Sequence, residues 1–174
     1  MGNTAIAKLV VRFFLYVLLQ GVLLRNASLF DYALCYPYVS YLILLPFSFS
    51  PLGSLLLGFA LGISVDIFYD TLGIHAAACV LMAFARIQLL NVLSPSGGFE
   101  ANMSPTIASM GFNWFVSFSA ALIAIHHISL FLIDASNMSK VGGALLQSLA
   151  SGAFTLVMVV AIQYLFFPSK RKLF

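Results

Sequence analysis

Charge is what this chain most conspicuously lacks. Only 7% of its 174 residues are Asp, Glu, Lys or Arg, whereas about a quarter of an ordinary soluble domain is charged. With 62% of residues hydrophobic, a soluble fold is excluded and lipid is the medium. Cysteine is also scarce. Cys35 and Cys79 fall in the outer halves of two apolar runs, where a single bridge between them is geometrically conceivable, but no Cys/His cluster has metal-ligand spacing and the two read in preference as small packing residues. A polar stretch long enough for a soluble domain is missing, the longest being Ser94–Gly111, whose Pro, Gly and Ser content marks an irregular loop. Nucleophile elbow, phosphate loop, metalloprotease motif and paired carboxylates are all absent from the sequence. Neither an enzymatic activity nor a cofactor is expected.

What is present is a series of apolar runs. A bilayer core about 30 Å thick needs roughly 20 apolar residues per helix. Six candidate spans run Ile6–Leu24, Ala33–Phe49, Gly53–Tyr69, Leu72–Leu93, Phe112–Ile133 and Ala144–Phe167, with five spans the main competing count. They predict a single all-α, polytopic membrane domain over residues 1–174. The second run carries Pro37 and Pro46, which remove backbone donors and predict a kinked helix.

Six spans place both termini on one side, and the Lys/Arg bias names it. Lys8, Arg12, Arg86, Lys170, Arg171 and Lys172 fall on the terminal side, against Arg25 and Lys140 on the other, so both termini are predicted to be cytoplasmic. The basic tail Lys170–Lys172 reads as a headgroup anchor. Membrane lipid is therefore an expected partner and nucleic acid is not.

Ser54, Gly58, Gly62 and Asp66 recur every four residues and share one stripe of the third span. Gly58 and Gly62 make a G-x-x-x-G pattern that permits close helix contact, either within this fold or with a partner's helix. A carboxylate such as Asp66 must face protein or water. His75 matches its depth, while Arg86 lies eleven residues further along, roughly 16 Å deeper, so His75 is the expected partner. The pair is read as a hydrogen bond joining two hairpin-connected helices in preference to a proton relay or cation site.

Arg86 is expected to snorkel to the headgroups. His126 and His127, as neighbours on a helix, point to different faces and cannot jointly chelate a metal. Gly142 and Gly143, with Ala144, Ser148 and Gly152, make the start of the last span a small-residue packing face. Tyr36, Tyr38, Tyr41 and Tyr69 are read mainly as interfacial anchors, although with Asp66 and His75 they could line an outer pocket.

Leu57-Gly58, Gly62-Ile63, Val65-Asp66-Ile67 and Leu72-Gly73-Ile74-His75-Ala76 together resemble the signature of the rod shape-determining protein MreD family. The resemblance implies a multi-pass scaffold in the bacterial cytoplasmic (inner) membrane, serving cell shape and lateral peptidoglycan synthesis. Its implied partners are the single-span coiled-coil protein MreC and, indirectly, actin-like MreB filaments, the glycan polymerase RodA and a class B penicillin-binding protein. It also implies a fold similar to the substrate-binding subunits of energy-coupling-factor vitamin transporters, so a small-molecule transporter subunit is the alternative. For the partner's helix, the expected seat is the Ser54-Gly58-Gly62 stripe, with Asp66, Gly73 and His75 beside it, or the Gly142-Gly143 end of the last span.

Overall fold

A computed structural model describes residues 2–95, 97–100, 103–135 and 137–167. The basic tail Lys170–Lys172 lies outside the described residues. Five helices are long and apolar enough to cross a membrane: α1 (Asn3–Leu18, continued by a π turn over Leu19–Leu23), α3 (Pro51–Tyr69), α4 (Ile74–Val92), α6 (Phe112–Asp134) and α7 (Val141–Phe166). Shorter pieces are α2 (Ser40–Ile43), α5 (Ile107–Met110) and a small antiparallel hairpin of β1 (Ser28–Leu29) and β2 (Ala33–Leu34). The chain is an all-α polytopic membrane protein.

Local sequence explains the helix ends. Ser50 caps α3 by accepting from the Gly53 N–H at 3.1 Å, and Pro51 opens it where no donor is needed. Asp70 ends it in a left-handed conformation at φ 54°. Thr106 and Ser109 form a reciprocal capping box around α5.

The helices pack in sequence, α3 on α4, α4 on α6 and α6 on α7. Leucine, isoleucine, valine and phenylalanine are exposed on the outer faces of all five, as a lipid-facing surface requires. Near the far end of α1, Gly21 lies directly on the Phe68 ring of α3, where any side chain would collide.

The second predicted span is corrected by the structure. Ala33–Phe49 is not one helix: it runs as β2, a tight 3-10 turn over Pro37–Val39, the single turn α2 and a further bend. Pro37 begins the 3-10 turn and Pro46 falls in the bend after α2, so the prolines break this run where a kink was expected. The segment nevertheless passes from one end of the bundle to the other. At the first end, Gln20 Nε2 donates to Tyr69 Oη and to the Cys35 carbonyl, and Arg25 pairs with Asp70 at 3.9 Å. At the opposite end, the Phe47 N–H donates to the Met103 carbonyl at 2.9 Å and its ring stacks on Phe99 beside Trp114. These are called the Asp70 end and the Trp114 end below.

Tyr38, Val39, Leu42 and Ile43 of this segment are fully buried. Irregular backbone is stable at membrane depth only when enclosed by protein, and here α1, α3, α4, α6 and α7 enclose it.

Candidate functional site

The side chains that hold the irregular segment are the polar residues of the surrounding helices. From α7, Ser151 Oγ accepts from the Leu34 N–H at 2.9 Å and Thr155 Oγ1 from the Tyr36 N–H at 3.0 Å. From α4, Arg86 Nη2 donates to the carbonyls of Leu45 and Pro46. Arg86 is 1% exposed, so the expected snorkelling to headgroups is overturned. Two carbonyls released by the break in α2 hold the guanidinium inside the protein instead.

Aromatic and imidazole rings gather around the segment's first half. The Tyr36 ring lies 5.3 Å from His75, 5.6 Å from His127 and 6.4 Å from His126, centroid to centroid. Tyr38 Oη is 2.8 Å from His75 Nδ1 and 2.7 Å from His126 Nε2, and it accepts a long contact from the Cys79 thiol at 3.7 Å. A phenol has one proton, so it donates to one imidazole and accepts from the other. His126 Nδ1 is buried with no partner. An orphaned N–H is rarer than an underused acceptor, so the pattern assigns the proton to His126 Nε2, which donates to Tyr38, whose O–H donates to His75 Nδ1.

His127 serves the neighbouring strut. Its Nδ1 faces the Ile123 carbonyl at 2.9 Å and must donate there, which leaves Nε2 to accept the Thr155 hydroxyl proton at 3.1 Å. The two adjacent histidines therefore work on separate bonds. Among the described residues no group of three metal-ligating side chains could hold an ion.

Asp66 sits at the join of α3 and α4. Its Oδ1 accepts from the Thr71 hydroxyl and from the His75 N–H at 3.0 Å, and its Oδ2 from the Ala76 N–H at 3.0 Å. It thus caps α4, whose N-cap position offers no side chain because Gly73 stands there at φ 88°. Free N–H groups and the positive end of the helix dipole both favour a carboxylate at that spot. Depth matching correctly led to His75, but the bond goes to its backbone and the imidazole turns to Tyr38.

The other sequence candidates fall into two groups. Ser54, Gly58, Gly62 and Asp66 are all buried beneath α4. A Cβ on Gly62 would lie 2.6 Å from the Ala76 nitrogen and 2.6 Å from the His75 carbonyl oxygen, and one on Gly58 would lie 3.0 Å from the Cys79 carbonyl oxygen. The stripe seats α4 and has no room for a partner's helix. Gly142 and Gly143 are exposed, with no atom within 4 Å of an added Cβ.

The tyrosines are a further correction. Tyr36, Tyr38 and Tyr41 are 3%, 0% and 3% exposed, so they are core residues and not headgroup anchors. The Tyr36 ring packs among His75, His126 and His127, between the residues that would line the expected pocket, while a separate cavity of about 340 Å³ lies at the same end between α6 and α7, beside Asp134, Lys140 and Gly143. The role of Tyr38 with His126 was missed from sequence, although a cluster of tyrosines and Pro37 inside one apolar run was a signal that the run meets polar partners.

Tyr38→Phe should leave His75 Nδ1 and His126 Nε2 both unpartnered. Interhelical bonds in membranes average about 0.6 kcal/mol and reach about 1.7 kcal/mol, so a loss of about 1–2 kcal/mol is expected, read as a lower melting temperature in detergent. An unchanged melt would show that this network does not hold the segment.

Comparison of the chain with protein-family models, with curated proteins and with solved structures finds no match.

Proposed function

We propose that this protein is a membrane scaffold of the rod-system type, with no chemistry of its own, working in the bacterial cytoplasmic membrane as a subunit of the elongation assembly. The observation that carries the reading is the α3–α4 hairpin. The residues that resemble the MreD signature act there as one structural unit: Gly58 and Gly62 seat α4, Asp66 caps it, Gly73 opens it and His75 ties it to Tyr38. Such a unit fixes the shape of the bundle and leaves its outer faces for assembly. Gln20, Arg86, Ser151 and Thr155, with the two histidines on Tyr38, are engaged in holding the irregular segment, which favours a scaffold over a transporter's substrate-binding subunit.

The Lys/Arg bias supports a cytoplasmic Trp114 end and cytoplasmic termini. A single-span, MreC-like coiled-coil protein is the direct partner, with MreB-like filaments, a RodA-like polymerase and a class B penicillin-binding protein reached through it. Because α4 covers the Ser54-Gly58-Gly62 stripe, the exposed Gly142-Gly143 start of α7 is the better seat for the partner's helix. Small residues there let a second backbone approach closely.

Affinity purification of the tagged protein in mild detergent, with mass spectrometry of what accompanies it, tests the reading. The coiled-coil partner and wall-elongation enzymes are expected. Recovery of paired ATPases with a coupling membrane subunit would replace the scaffold by a transporter component. Gly142→Leu combined with Gly143→Leu should lower partner recovery about fivefold or more, the equivalent of about 1 kcal/mol of lost packing, with the melting temperature unchanged. Undiminished recovery would move the seat elsewhere.

A further inference from the structure

α1 is anchored near its Asp70 end through Gly21 and Gln20 and further down through Phe13 and Tyr16, whose rings meet Tyr41 edge-on. It scarcely touches α7, and between them lies a groove of about 1030 Å³. Leu15, Leu19 and Val22 form one wall and Ile162 and Phe166 the other, with Arg12 as the one charged residue in the lining among the described residues. The groove on the opposite flank of α1, about 780 Å³, has no charged residue in its lining among the described residues.

We propose that the α1–α7 groove is a binding site for one anionic phospholipid of the surrounding bilayer, acyl chains along the apolar walls and phosphate on Arg12. Three observations select this occupant. The walls are apolar over the full length of the groove, which suits hydrocarbon. The charge is one-sided: the Arg12 guanidinium lies 5.3 Å from the centre of the Phe167 ring, within cation–π range, it carries a fork of N–H donors suited to a phosphate, and among the described residues no acidic side chain lines the groove. The groove is also open to the bilayer: Leu15, Leu18, Val22 and Phe166 of its lining are exposed on the outer, lipid-facing surface of the bundle.

Native mass spectrometry of the detergent-purified protein, titrated with dioleoyl-phosphatidylglycerol or dioleoyl-phosphatidylcholine, tests the site. The wild type should hold the anionic lipid about fivefold more tightly, the ratio that about 1 kcal/mol per cation at a membrane surface gives. Arg12→Gln should bring the ratio to about one, Arg12→Lys should keep a preference, and Val22→Trp, which fills the groove, should lower binding of both lipids. Thermal melting of each variant separates misfolding from lost binding. If Arg12→Gln does not fold, the wild-type ratio and Val22→Trp decide. Equal binding of the two lipids by the wild type, an unchanged preference in folded Arg12→Gln, or a photocrosslinker at Leu15 that captures a polypeptide in place of lipid would each overturn the proposal.

Discussion

Gly62→Leu should remove most of the folded protein from the membrane fraction. The new Cβ would meet backbone atoms of His75 and Ala76, which cannot rotate away as a side-chain tip can. The only relief is separation of α3 from α4, and that also pulls Asp66 off the N–H groups of His75 and Ala76 one turn along. Overpacking costs about 1–3 kcal/mol and loss of a cap about 0.5–2 kcal/mol. Their combined loss, about 1.5–5 kcal/mol, is a large share of the 5–15 kcal/mol that a typical fold possesses. Gly58→Ala should be milder, since its Cβ meets the Cys79 carbonyl oxygen at 3.0 Å and the Ala83 methyl at 3.2 Å. Gly142→Leu, with open space around it, should accumulate as the wild type does. Membrane accumulation and detergent melting of the three variants give the order, and a wild-type melt for Gly62→Leu would mean that the two helices are not held by this contact.

Asp66→Leu should be nearly as damaging, through unpaired donors instead of a clash. It deprives the Thr71 hydroxyl and the N–H groups of His75 and Ala76 of their acceptor, and each unsatisfied buried polar group costs about 1–3 kcal/mol. A net loss of about 3 kcal/mol is expected, allowing for water reaching some of these groups near the helix end. Asp66→Asn keeps one carbonyl oxygen, so about half of that loss should remain. Wild type above Asn above Leu is the expected ranking in the same two measurements. Equal values for Asn and Leu would show that hydrogen bonding at Asp66 is not what joins the helices.

Five of the six apolar runs were legible because hydropathy and length suffice for a helix that faces lipid over much of its surface. Ala33–Phe49 was misread for a physical reason. Burial against protein and burial against lipid select the same apolar residues, so a buried irregular segment and a spanning helix look alike on composition alone. What distinguishes them is whether the backbone finds partners outside its own segment, and those partners, Ser151, Thr155 and Arg86, are distant in sequence. Arg86 was misassigned by the same gap, because its carbonyl partners exist only where α2 stops. The Asp66–His75 pairing was legible in depth and register, since both follow from helix rise, but not in atoms, since the choice between imidazole and backbone N–H rests on the left-handed turn at Asp70 and Gly73.

The irregular segment also dictates an order of manufacture. Leu34 and Tyr36 are held by residues 117 and 119 positions later in the chain, so the ribosome delivers their acceptors only when the final helix is being made. Until then the segment cannot be released into lipid without exposing bare amide groups to hydrocarbon. Its final conformation has to wait until α3, α4, α6 and the middle of α7 have been made. A nascent chain halted before Ser151 would therefore be an unfinished assembly that quality-control proteases can recognise, and completion of α7 would act as the step that closes the protein.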